Sequence, residues 1–460
     1  MPHLYRPGRA TAAIVRGAVP RTLSIKASGA LTVLVALLLL PLAAYAGTGV
    51  FTPHPVTPSF GSGNSQGVAL GDMDGDQDLD AVVANLTEGE TVWLNNGAGS
   101  FTPHPTTPDF EAGNSQDVAL GDLDGDGDLD AIFAIDNGSQ GGPETVWLND
   151  GAGNLTAHPT TPTFGAEGSM AVALGDLDGD QDLDAVVANY YYQPETVWLN
   201  DGAGNFSPHP TIPTFFDNSL SQDVALGDLD GDGDLDAVLA EASGNGPEAV
   251  ALNDGTGGFT LHPATPRFGA NDSYDVALGD IDGDQDLDAL IANLGNFDSP
   301  GYEWHETVWL NDGAGNFTAH PTTPHFGGEY SEALALSDID GDADLDAVAA
   351  NTASTSAETV WLNDGAGNFT AHPTTPTFGA GNSADIALGD LDGDGDPDAV
   401  VANYEGEAET VWLNNGESPN AVTHNEFHVK SGTTPYSVTV TVLATMTITL
   451  GCCAIRRRSA

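Results

Sequence analysis

From residue 47 onward, apolar positions fall in short runs of about 5–7 residues, each bounded by Gly, Pro, Asn or Asp. Residues 117–159 show the pattern. Asp117–Gly121 (DVALG) is a first run, Leu129–Ala134 (LDAIFA) a second, and Glu144–Asn149 (ETVWLN) a third. The turn Asp150-Gly151-Ala152-Gly153-Asn154 follows, of the Asp-Gly type that joins hairpin strands. A fourth run opens Leu155-Thr156-Ala157-His158-Pro159. Its proline cannot donate to a ladder and suits a sheet edge. No run is long enough for a helix, so the pattern predicts an all-β chain with four antiparallel strands per unit.

The unit recurs seven times. Between its first and second strands stands Asp-x-Asp-Gly-Asp-x-Asp-x-Asp, beginning at Asp72, Asp122, Asp176, Asp228, Asp280, Asp338 and Asp390, at spacings of 50, 54, 52, 52, 58 and 52. Seven four-stranded units of this length predict a seven-bladed β-propeller over residues 47–420. The ends are out of phase with the unit. Phe51-Thr52-Pro53-His54-Pro55 is a fourth strand standing before the first acidic loop, and the last unit stops after its third strand at Trp412-Leu413-Asn414. The N-terminal strand is therefore expected to complete the last blade and close the ring. An open stack would need capping units instead.

Composition changes the picture in two ways. Lys and Arg number 10 against 67 Asp and Glu, a formal net charge of −57, which excludes nucleic acid and anionic membrane surfaces as partners. Between residues 27 and 429 the only Lys or Arg is Arg267, which disfavours any site for a polyanion. The two cysteines, Cys452 and Cys453, are adjacent near the end, so no disulfide framework holds the ring.

The ends read as targeting segments. A basic stretch, the apolar run 30–44 and Ala44-Tyr45-Ala46 make residues 1–46 a secretory signal peptide. After a linker at 421–435, residues 436–455 are apolar and uncharged, and Arg456, Arg457 and Arg458 follow. This reads as a membrane anchor with a basic cytoplasmic tail, or as a further strand, since Val and Thr alternate over 438–442. The chain is thus expected at the cell surface or secreted, as a monomer.

The loops carry the chemistry. Each sets carboxylates at positions 1, 3, 5, 7 and 9. They are Asp72, Asp74, Asp76, Asp78 and Asp80; Asp122, Asp124, Asp126, Asp128 and Asp130; Asp176, Asp178, Asp180, Asp182 and Asp184; and Asp228, Asp230, Asp232, Asp234 and Asp236. The remaining loops hold Asp280, Asp282, Asp284, Asp286 and Asp288; Asp338, Asp340, Asp342, Asp344 and Asp346; and Asp390, Asp392, Asp394, Asp396 and Asp398. Five carboxylates so close repel by about 1 kcal/mol per near pair even at the dielectric of water. A hard cation among them removes the conflict. All-oxygen ligands on a flexible loop favour Ca²⁺, about one per blade, over Mg²⁺ and zinc. An EF-hand is excluded, because position 12 is apolar in every copy (Val83, Phe133, Val187, Leu239, Ile291, Ala349, Val401) where that motif needs a bidentate Glu.

The strand–loop–strand string GDLDGDGDLDAIFA resembles the FG-GAP/VCBS repeats of integrin α-subunit propellers and bacterial surface proteins. The resemblance spans residues 47–416. It implies side-chain ligands from positions 1, 3, 5 and 9 and a backbone carbonyl from position 7: in the second loop Asp122, Asp124, Asp126 and Asp130, with the carbonyl of Asp128. It also implies adhesion or ligand binding on the face opposite the loops.

Other recurrent residues read as structural. His54, His104, His158, His209, His262, His320 and His372 recur once per unit in the fourth strand, too dispersed for one site. Trp93, Trp147, Trp198, Trp309, Trp361 and Trp412 recur in the third strand, with Ala251 in the fourth unit, and read as core. Residues that break the repeat are more informative. Tyr190, Tyr191, Tyr192, Tyr302 and Trp304 lie between second and third strands and are the candidate ligand residues. Phe216, Tyr274, Tyr330 and Tyr404 stand in connections to the same face. Aromatic rings with acidic neighbours suit a glycan or a protein partner. No nucleophile elbow, phosphate loop or zinc motif is present, so a binding propeller is expected over its alternatives, a carbohydrate-active enzyme or a purely structural coat protein.

Overall fold

The computed structural model describes residues 49–414, apart from 58, 62–63, 107–113, 139–140, 162, 166–167, 211–213, 216–219, 243–246, 265–266, 270–271, 294–304, 328–329, 353–356, 375, 380–381 and 405. The signal segment, the linker, the C-terminal apolar segment, Phe216, Tyr302 and Trp304 lie outside the described residues.

Seven antiparallel sheets stand around a central axis as the blades of a β-propeller. Blades are numbered here by their acidic loops. In blade 2 the strands are Ser115–Gly121, Asp130–Ile135 and Glu144–Leu148, followed by Thr156–Ala157 and Thr163–Phe164, which both pair with the third strand. The fourth strand is thus broken into two short pieces around the His-Pro turn, where proline removes ladder donors. The first strand begins two residues earlier than its apolar run suggests. Ser115 pairs with Ile135, and a bulge at Gln116 restores register at Asp117. Each first strand packs against the first strands of both neighbours, around the axis.

All seven second strands are buried along their whole length, from Asp80–Asn85 to Asp398–Asn403. The core accordingly lies between blades. Val186 and Val197 of blade 3, for example, pack with Val224, Leu239 and Phe259 of blade 4. Most tryptophans sit at the same joints, half-buried. Trp198 of blade 3 lies 5.2 Å from Phe164 of blade 2, and Phe164 stacks on Phe206 at 4.8 Å. In blade 4 the exchange to Ala251 leaves a fully buried methyl at this place.

The ring closes through the N-terminal strand. Phe51, Thr52 and Pro53 pair with Asn414, Leu413 and Trp412, and Ser59–Phe60 pairs further along with Thr410 and Glu409. Phe51 is buried and stacks on Phe378 of blade 6 at 4.5 Å.

Polar side chains stitch each joint at three places. Near the face opposite the acidic loops, the buried carboxyl that opens each third strand meets the serine that opens the next blade: Glu90 with Ser115, Glu144 with Ser169, Glu195 with Ser221, Glu248 with Ser273, Glu306 with Ser331, Glu358 with Ser383, and Glu409 with Ser65. On the acidic-loop face, the asparagine that ends each third strand donates to the loop of the preceding blade. Asn149 Nδ2, for example, reaches the carbonyl of Met73 at 2.9 Å. On the outer rim, His158 Nε2 donates to the carbonyl of Ala203 in the next blade at 2.9 Å, while its Nδ1 accepts from the N–H of Thr161. Those partners require the neutral Nε2–H tautomer. The histidine row is therefore a set of blade clasps.

Proton counting fixes the state of the Glu–Ser contact. Ser65 Oγ touches both the Glu409 carboxyl and Asn85 Oδ1, and the Asn85 amide is committed to the carbonyl of Gly89. A hydroxyl has one proton for two acceptors, so the neutral carboxyl supplies the second. Burial pushes Glu409 up to about 7. The folded state then holds that proton more tightly than the unfolded chain, and stability falls as pH rises from about 4.5 to about 7.

Two expectations follow. Phe51→Ala should cost about 3 kcal/mol in urea unfolding, as for other buried phenylalanines, because it opens the joint that closes the ring. Glu409→Gln should flatten the loss of stability between pH 5 and pH 8 relative to wild type. Parallel pH profiles for the two proteins would refute the neutral carboxyl.

Candidate functional site

The acidic loops sit where first and second strands join. In blade 1, Asp72 accepts from the N–H of Gly75 at 2.8 Å and of Gln77 at 3.0 Å. Asp74 accepts from Asp76 N–H, and Asp76 from Asp78 N–H. These bonds wind the loop tightly enough to require left-handed backbone at positions 4 and 6. Gly75 has φ 80° and Gln77 has φ 76°; Gln181, Gln285 and Ala343 adopt the same conformation at position 6. A residue with a Cβ is disfavoured there by roughly 1 kcal/mol, and the loop accepts that cost in four of seven copies.

Carboxylate oxygens from positions 1, 3 and 9 converge to within 4.8 Å of one another: Asp72, Asp74 and Asp80; Asp122, Asp124 and Asp130; Asp176, Asp178 and Asp184; Asp228, Asp230 and Asp236; Asp280, Asp282 and Asp288. Position 5 stands beside position 3, and burial, then the charge of Asp76, raises the proton affinity of Asp74. Position 7 faces elsewhere. A Cβ added to Gly97, in the turn after the third strand, would lie 2.6 Å from the Asp78 carboxylate oxygens. The glycine of this Asn-Gly turn therefore makes room for that side chain.

Position 9 is the structural member of the set. Asp80, Asp130, Asp184, Asp236, Asp288, Asp346 and Asp398 are at most 1% exposed. Each accepts from its own position-2 N–H at 2.9–3.1 Å. The other oxygen accepts from the N–H of the asparagine ending the third strand at 2.7–2.8 Å. Burial nonetheless pushes Asp80 up to about 7 and Asp398 to about 8, with the carboxylates at positions 3 and 5 adding to it. Position 3 is raised in all seven loops by burial and by the carboxylate at position 5. The donor set is hard, all oxygen, and without a compensating cationic side chain. It fits a divalent cation held by positions 1, 3 and 9.

The opposite mouth of the axial channel is less regular. The third residue of the first strand is Gly67, Asp117, Ala171, Asp223, Asp275, Ala333 and Asp385 in turn. Each of the four aspartates accepts from a backbone N–H of the next blade's first strand: Val172, Val276, Leu334 and Val68. They thus satisfy edge amides that no strand covers. Burial holds Asp117 up to about 7 and Asp385 to about 6; Asp275 is pushed well up by burial and then by Asp223.

Beside these, Tyr274 and Glu332 occupy the second position of their strands. The Tyr404 hydroxyl donates to Glu332, whose carboxyl is raised to about 7, chiefly by burial. Tyr274 is raised to about 12 by burial and then by the charge of Glu332, with Tyr190 and Asp272 also near. Tyr190, Tyr274, Glu332 and Tyr404 come from blades 3, 5, 6 and 7 and form one arc at this mouth.

The candidate tyrosines divide. Tyr190 belongs to the arc. Tyr191 meets its ring edge-on at 5.0 Å, and its hydroxyl donates to Asp136 of blade 2 at 3.4 Å, so it braces the loop. Tyr192 is 62% exposed. Sequence reasoning missed Glu332 and the four channel aspartates. The signal was present, since GVALG, DVALG and AVALG differ only at the residue that meets the next blade's edge.

By geometry this is a seven-bladed propeller with an acidic loop in every blade and an asymmetric mouth opposite. The FG-GAP-like repeat family matches residues 72–133, 176–239, 228–291 and 338–401, more than half of the chain. The chain belongs to that family. No curated protein matches it. Among solved structures it is similar to the BP39L lectin from Burkholderia pseudomallei, with 16% identity, 77% of this chain and 96% of that one covered, and a TM-score of 0.55. It is also similar to BBS1N in complex with ARL6DN, with 10% identity, coverages of 81% and 98%, and a TM-score of 0.50. A lectin from Agrocybe aegerita that recognises non-reducing terminal N-acetylglucosamine aligns at 22% identity, coverages of 73% and 85%, and a TM-score of 0.48. At these identities the first two likenesses establish the fold alone.

A cation bound only by the folded loops stabilises the fold by mass action. The melting temperature in excess EDTA is therefore expected well below that in millimolar calcium. Coincident melting curves would show that the loops hold the ring without an ion.

Proposed function

We propose that this chain is a secreted or surface-displayed propeller, braced by about one Ca²⁺ per blade, that binds a neutral or amine-bearing glycan at the channel mouth opposite the acidic loops. One observation carries the reading. In a ring whose strands otherwise repeat almost letter for letter, the departures Tyr190, Tyr274, Glu332 and Tyr404 converge on one mouth. The other blades pack without their equivalents. Tyrosine rings offer flat apolar faces to a sugar, and the carboxyls around them accept from its hydroxyls or ammonium group. The charged groups named there are acidic, which rejects uronic, sialylated or sulfated chains. Propellers of this architecture include a lectin and a protein-binding domain, so the scaffold serves glycan and protein ligands alike.

A carbohydrate-active enzyme is the second reading, and Glu332 favours it. Burial raises its carboxyl to about 7, where a general acid works near neutral pH, and the Tyr404 hydroxyl donates to it.

Both readings are tested by a glycan array probed with the full chain in millimolar calcium. Neutral or amine-bearing glycans should bind and acidic ones should not. Tyr274→Ala should weaken binding by about 2 kcal/mol, roughly thirtyfold. Products released from the bound glycan, and lost in Glu332→Gln, would favour the enzyme. Unchanged affinity in Tyr274→Ala, with loss in a folded acidic-loop variant, would place the ligand on the metal face.

A further inference from the structure

We infer that the asparagines ending the third strands are positioning residues that join the seven acidic loops into one cooperative cation-binding ring. The inference rests on the reading that the loops take calcium. The loops are linked by a hydrogen-bonded circuit without a break. In blade 2, Asp130 accepts from the N–H of Leu123 in its own loop. The carbonyl of Leu123 accepts from the side chain of Asn200 in blade 3 at 2.8 Å. The backbone N–H of Asn200 donates to Asp184, the position-9 carboxylate of blade 3. The same three steps repeat in every blade and return to the start. Asn95 of blade 1 reaches the loop of blade 7, and Asn414 of blade 7 reaches that of blade 6. All seven asparagine bonds measure 2.8–2.9 Å, and the asparagines are at most 5% exposed.

The coupling follows from what each member does twice. Position 2 anchors its own metal carboxylate through its N–H and the neighbouring asparagine through its carbonyl. An asparagine anchors the preceding loop with its side chain and its own blade's metal carboxylate with its backbone. A loop ordered around a cation therefore fixes one of the two anchors of the next carboxylate, the asparagine N–H, before a cation arrives there. The second site has less ordering entropy to lose, which is positive cooperativity without any change of shape. Repulsion between neighbouring cations acts in the opposite sense, so the slope of the binding curve reports which effect dominates.

The test is calorimetric titration of the calcium-stripped full chain with calcium, with unfolding temperature followed in parallel. The wild type should bind with a Hill coefficient of about 2 or more. Asn200→Ala should lower that coefficient toward 1, and Asn253→Ala should do the same one joint along. His158→Ala breaks a blade clasp outside the circuit. It should lower the unfolding temperature and leave the slope unchanged, which separates coupling from general loosening of the joints. A wild-type coefficient of 1 or below overturns the proposal with no variant needed. A slope kept in folded Asn200→Ala overturns the role of the asparagines. Absence of calcium uptake overturns the loop reading itself and is distinguishable from both.

Discussion

A buried carboxylate with both oxygens committed to backbone amides is the constraint on which this ring depends. Seven such groups, from Asp80 to Asp398, end the acidic loops and begin the second strands. Each fixes the exit of its loop, the end of its third strand and the direction in which the other carboxylates point. Burying a charge is unfavourable unless it is paired. Two amide bonds offset only part of that, as the raised proton affinities show. A divalent cation would offset the rest, so the element that organises each blade is also the one that would hold an ion.

The remaining polar contacts share a different problem, which is angular. Apolar packing between blades is non-directional and would tolerate small rotations about each joint. Closure does not, because errors accumulate around the circle. Hydrogen bonds at three radii, from Glu–Ser near the axis to His–carbonyl on the rim, set the angle at each joint. Histidine suits the rim because its two nitrogens accept locally and donate across the joint in a single tautomer.

Much of this was legible in the sequence, because it is periodic. The four strands, seven units, closing offset and acidic loops all follow from spacing alone. What periodicity hides is partnership. Glu144 and Ser169 recur faithfully in their units, but only topology reveals that each glutamate faces the serine of the following blade. Likewise Asn149 looks like the end of a strand until Met73 is seen beneath its amide. The start of the first strand was misjudged for a local reason, since Ser115 and Gln116 are polar and sit at the bulge. Tyr274 and Glu332 were hardest to weigh, because a one-residue departure carries little weight until several departures are found at the same mouth.

The closing strand also decides how the ring can be held. Phe51 lies opposite Asn414, and both stand at the acidic-loop end of blade 7. The chain therefore enters and leaves the propeller at one blade and on one face. An attachment at either end would therefore pull from that side and leave the mouth carrying Tyr274 and Glu332 facing away from it.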